Sequence, residues 1–79
     1  MTQEQRRSIL LDAVNTFSAQ QWFRGAAVYD SYPTTGQPTI EFRVNFIPLF
    51  EKKHVKEFVD KYALTEAYVI IDKEGNKVE

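Results

Sequence analysis

The chain has no cysteine, one histidine, three glycines and three prolines in 79 residues. Without cysteine there is no disulfide framework, thiolate metal site or cysteine nucleophile. Three scattered glycines cannot build a phosphate-cradling loop of either the G-x-x-x-x-G-K-[ST] or the G-x-G-x-x-G type. No stretch approaches the roughly 20 apolar residues of a membrane span. The opening residues, Met-Thr-Gln-Glu-Gln-Arg-Arg, lack the apolar run and small-residue cleavage site of a secretory signal. The expectation is a cytoplasmic chain. An excess of charge is missing too: ten basic side chains against eleven acidic ones leave a net −1. That balance disfavours non-specific nucleic-acid binding, whose affinity rests on many phosphate neutralisations.

What is present is apolar and aromatic. Hydrophobic residues make up 43% and charged residues 27%, the proportions of a globular chain rather than a disordered one. Aromatic residues reach 14%, and each buried ring removes a large apolar area from water. At this length one core is affordable and two are not, so residues 1–79 are expected to form a single domain.

The pattern along the chain gives the element order. Thr2 followed by Gln5 reads as a capping box at the start of a helix running to about Gln20. Leu10, Ala13, Val14 and Phe17 form its stripe, broadened by Ile9 and Leu11. Trp22 to Tyr32 reads as a strand, and Pro33-Thr-Thr-Gly-Gln-Pro38 as a turn. Ile40, Phe42, Val44 and Phe46 then alternate with Glu41, Arg43 and Asn45, the period of a half-buried strand reaching Ile47. Pro48 suits the first turn of a second helix, with Phe50, Val55, Phe58, Val59 and Tyr62 as its apolar stripe. Ala67–Ile71 is a short apolar strand. Asp72-Lys-Glu-Gly75 is a type I turn returning Lys77-Val78 as a short fourth strand. The order α-β-β-α-β implies an α+β two-layer sandwich, its antiparallel sheet of three to four strands carrying both helices on one face.

The other sheet face is then the candidate for function. In the first strand the even positions hold both charges, Arg24 and Asp30, and an unpaired buried charge costs several kcal/mol. The even set is therefore expected outward, which places Trp22, Arg24, Val28 and Tyr32 beside Arg43 on an open face. A bulge at Gly25 is the one local feature that would reverse this parity. An apolar and aromatic patch rimmed by charge is the usual mark of a contact surface. The expected function is a non-enzymatic protein-interaction domain of adaptor or inhibitor type, binding a protein partner or itself as a homodimer through that face. The alternative is a weak single-stranded nucleic-acid binder, with Trp22 and Tyr32 stacking bases and Arg24 and Arg43 meeting phosphates.

Catalytic signals are thin, and no catalytic, metal or cofactor-binding residue is assigned. His54 has Glu51 and Glu57 three residues to either side, yet these lack the convergent ligands of a closed metal site. Ser8, Ser18 and Ser31 sit in no nucleophile motif. Asp30, opposite the neighbourhood of Glu41, is the one carboxylate pair to weigh as an acid–base dyad.

Overall fold

The structure is a computed structural model that describes residues 2–62 and 67–78. Its elements follow the expected order: α1 (Gln3–Phe17), β1 (Phe23–Tyr29), β2 (Thr39–Val44), α2 (Glu51–Asp60) and β3 (Ala67–Ile71). Helix α1 starts where the capping box places it. The Thr2 hydroxyl accepts from Gln5 N–H at 3.1 Å, and the Gln5 amide oxygen accepts from Thr2 N–H at 2.6 Å. Helix α2 begins at Glu51 rather than at Pro48, because Pro48 and Leu49 are spent on a preliminary turn in which Glu51 N–H donates to Pro48 O at 2.9 Å.

The sheet order is β1-β2-β3, with β2 in the centre. β1 runs antiparallel to β2, as a hairpin must. β3 runs parallel to β2, so the sheet is mixed rather than wholly antiparallel. The reason is the connection: a helix between two neighbouring strands carries the chain back to its starting end, whereas antiparallel partners need only a turn. The expected fourth strand contracts to one bridge between Ile71 and Lys77. Its turn forms as read, with Gly75 at φ 83° and its N–H bonded to Asp72 O at 3.0 Å.

Both helices pack on one face of the sheet. Ile9, Ala13 and Phe17 from α1 and Val55, Phe58 and Val59 from α2 meet Ile40, Phe42, Val44 and Ile70. Phe17 is the hub, with ring centres 5.6–5.8 Å from those of Trp22, Phe23, Phe42 and Phe58. The α1 stripe is rotated from the expected one: Ile9 replaces Leu10 at the centre, and Leu11 and Val14 face solvent. On the outer flank of the two helices, the Asp12 carboxylate accepts from the Tyr62 hydroxyl and from Lys61 Nζ. The hydrogen bond from Tyr62 is the main influence holding Asp12 below its ordinary value, and burial, followed by that bond, pushes Tyr62 up to about 12.

A bulge in β1 reverses the expected parity. Phe23 pairs with Val44, Gly25 with Arg43, and Arg24 is the extra residue between them. Beyond it Ala26 pairs with Phe42 and Val28 with Ile40, so the even positions turn toward the helices. Gly25, Ala27 and Tyr29 turn away. The bulge lets Arg24 stay in solvent while Phe23 before it and Ala26 and Val28 after it pack inward. Asp30, the other charge of the even set, is accommodated at the strand end by Arg6 of α1.

Candidate functional site

The outer face of the sheet is built from Gly25, Ala27 and Tyr29 of β1, Thr39, Glu41 and Arg43 of β2, and Ala67, Val69 and Ile71 of β3. It is less open than alternation alone suggests, because the β1–β2 connection folds over it. Tyr32 N–H donates to Gln37 O at 3.0 Å and Gly36 N–H to Tyr32 O at 2.7 Å, the latter with Gly36 at φ 73°. This closes a tight loop whose Tyr32 ring stands perpendicular to that of Tyr29 at 5.0 Å. Tyr32 then reaches the central strand. Its hydroxyl donates to Glu41 Oε2 at 2.8 Å, and Arg43 Nε donates to Glu41 Oε1 at 2.9 Å. Both carboxylate oxygens are thereby satisfied on a residue only 6% exposed.

Electrostatics follow from that arrangement. Burial, and then the hydrogen bond to Glu41, push the Tyr32 phenol up to about 12. The bond to Glu41 raises Arg43 above its ordinary value. A phenol that keeps its proton and a guanidinium tied to a buried carboxylate form a latch between loop and sheet, holding charge in place rather than moving protons. Beside the latch lies a pocket of about 240 Å³, lined in part by Tyr32, Thr34, Val69, Ile71 and Lys77. It is smaller than the roughly 300 Å³ at which small-molecule pockets begin.

The expected surface residues divide. Tyr32 and Arg43 do stand together on the outer face, joined through Glu41. Arg24 is exposed, but at the bulge. Val28 is half-buried on the helix side, cross-strand from Ile40. Trp22 is the largest correction: it is 3% exposed and part of the core, with its ring 5.6 Å from Phe17. It precedes the ladder, so strand alternation does not govern it, and the turn after α1 folds it under the helix. Among the described residues its Nε1 finds no hydrogen-bond acceptor.

The candidate chemistry fares no better as a constellation. His54 Nδ1 lies 3.0 Å from Glu51 Oε2 on an exposed helix face, and no group of three metal-ligating side chains occurs among the described residues. Asp30 is engaged with Arg6 on the helix side while Glu41 lies on the outer face, so the two carboxylates do not form a dyad. Among the described residues, no helix is long and apolar enough to cross a membrane.

A second surface was not expected. Phe46, Leu49 and Phe50 are 61%, 82% and 70% exposed, although alternation assigns Phe46 to the core and periodicity assigns Phe50 to the α2 stripe. Strand β2 ends at Val44, and Phe46-Ile-Pro-Leu-Phe50 becomes the connection to α2. Pro48, having no N–H, cannot extend the ladder and restricts Ile47 before it. The signal was legible: an apolar run interrupted by proline between two elements, where connections are ordinarily polar.

No protein-family model matches the chain, and neither a curated protein nor a solved structure matches it.

Proposed function

We propose that the chain is a non-enzymatic protein-interaction domain whose partner is held by the Phe46–Phe50 loop. One observation carries this reading: three bulky apolar side chains stand in solvent within five residues, on a chain with a small core. Exposing such a cluster leaves favourable burial unused, at about 25 cal/mol per Å² of apolar surface. Large apolar side chains exposed together in one short segment are typical of a surface covered by a partner. Phenylalanine supplies contact area at low conformational cost, and Pro48 stiffens the loop and so reduces the entropy lost on binding. An adaptor or inhibitor, which works by occupying a partner's surface, needs no more than this. A cysteine-free chain suits the reducing cytoplasm. The nucleic-acid reading has less support, since Trp22 lies in the core rather than on the outer face and Arg43 already holds Glu41.

The test is site-specific photocrosslinking. A photoreactive residue at position 50 should give a discrete protein adduct in native lysate, lost on Phe46→Ser with Leu49→Ser, while the same residue at position 35 gives none. If positions 50 and 35 behave alike, the loop is not a binding surface. A labelled oligonucleotide titrated at low salt separates the alternative, because phosphate-driven binding weakens steeply as salt rises.

A further inference from the structure

The two edges of the sheet are finished differently. The free edge of β3 is covered by the C-terminal return, where Lys77 bridges Ile71 and Val78 N–H donates to Ile70 O at 2.6 Å. The free edge of β1 has no strand beside it among the described residues. Its middle, Gly25-Ala26-Ala27-Val28, contains neither proline, lysine nor an inward-pointing charge, three of the devices by which edge strands deter pairing, and the bulge at Arg24, another such device, lies ahead of this stretch. Exposed backbone donors and acceptors in such a stretch are a template for another strand.

We propose that this edge pairs with the same edge of a second copy of the chain, antiparallel about a two-fold axis at Ala27, making one continuous sheet across a homodimer. The register comes from self-complementarity. With the axis at Ala27, Gly25 lies opposite Tyr29, Ala26 opposite Val28, and Arg24 comes beside Asp30 of the second copy at each end. Arg24 and Asp30 are both exposed, and Asp30 is kept at the strand end by Arg6 of its own chain. Moving the axis one residue either way loses the opposite-charge match. A Cβ built at Gly25 meets nothing within 4 Å, so the space over that residue can take the Tyr29 ring of the second copy, as aromatic side chains cover glycines across strands.

Helix α1 supplies the third element. Val14 is 37% exposed and Leu10 half-buried. At 100° per residue, Leu10 and Val14 lie on the flank of α1 opposite Asp12, which faces α2 through Tyr62 and Lys61. That flank borders β1, since Leu10 and Val28 line a common opening together with Arg6 and Arg7. Extending the sheet through β1 sets the two copies of α1 side by side in one layer and removes Leu10 and Val14 from water. The contact is isologous and closes, as two-fold dimers do. It uses none of the Phe46–Phe50 loop and stands whether or not that loop binds a partner.

The absence of cysteine makes the test clean. Ala27→Cys puts a single thiol on each copy at the axis, where directly opposed residues sit roughly 4.5–5.5 Å apart between Cα atoms, within disulfide reach. Mild oxidation should give a covalent dimer with Ala27→Cys and only background with Thr35→Cys. The unmodified chain should show a concentration-dependent dimer in sedimentation. Val14→Glu, at an exposed position on that flank, should raise its dissociation constant about tenfold or more with an unchanged far-ultraviolet spectrum. A monomer at every concentration overturns the proposal, as does Ala27→Cys oxidising no faster than Thr35→Cys. A dimer cross-linked through Phe50→Cys but not through Ala27→Cys also overturns it, and places self-association on the loop instead.

Discussion

Strand β2 and the loop that follows it both carry large apolar side chains, the loop the greater share, yet these have opposite fates. Ile40, Phe42 and Val44 are wholly enclosed, whereas Phe46, Leu49 and Phe50 are among the most exposed large side chains of the molecule. Both stretches carry phenylalanine and branched aliphatic residues. What separates them is the backbone. The strand is held by β3 through Arg43 and by β1 through Val44, and Asn45 N–H still donates to Trp22 O at 2.9 Å. After that Pro48 removes a donor, the chain turns into α2, and the side chains lose the fixed direction that a pleat imposes. Apolar character makes burial favourable, but only a hydrogen-bonded register aims a side chain at the core.

The sharpest way to break this contrast is to truncate one phenylalanine from each region. Phe42→Ala should destabilise by about 3–5 kcal/mol, the range for emptying an aromatic site in a core. Phe50→Ala should stay within about 0.5 kcal/mol, as surface changes do. Urea denaturation of the two variants measures the gap, and equal losses would mean that the loop is packed in solution. The latch sharpens the same contrast for polar groups. Tyr32→Phe withdraws one of the two donors from the buried Glu41 carboxylate and should cost about 2 kcal/mol, the scale of a hydrogen bond to a charged group.

High pH probes enclosure without mutation. Tyr32 and Tyr62 are both raised to about 12 in the folded chain, chiefly by burial and next by their carboxylate partners. An unfolded tyrosine ionises near pH 10. Below pH 10 both states keep the proton and the stabilisation is intact. Between pH 10 and about 12 the unfolded state alone loses it, so stability should fall as pH rises through that window. Thermal melts across it should show the midpoint descending, with a shallower descent for Tyr32→Phe. A smaller effect than that of Tyr32→Phe concerns the indole. Trp22→Phe keeps a ring in the core while deleting an N–H that has no acceptor, so it should lie within about 1 kcal/mol of the parent, the lost area set against a removed desolvation cost. A loss of the size expected for Phe42→Ala would show that Nε1 has a partner in solution.

Much of the architecture was legible because its causes are local. The capping box of Thr2 and Gln5, the glycine of the Asp72–Gly75 turn and the alternation from Ile40 to Val44 each act within a few residues. The candidate surface was legible only in part. Tyr32 and Arg43 were expected on one face and meet there through Glu41. Trp22 and Val28 were placed on that face too, by an argument that assumed an unbroken pleat, and both lie on the helix side. The Phe46–Phe50 loop was misassigned for the converse reason: the period of β2 was carried past the last paired residue.

From the sequence alone, then, come the order of elements, the layering, the capping box that starts α1 and the glycine turn after β3, since these depend on the spacing of side chains and the preferences of single residues. Tertiary structure decided the parallel pairing of β3, the inward turn of Trp22 and the release of Phe46, Leu49 and Phe50 into solvent. The physical reason is that a facing is a property of a pair of strands. One unpaired residue at Arg24 reverses every side chain after it, and whether that residue is left unpaired is settled by what both strands can bury together.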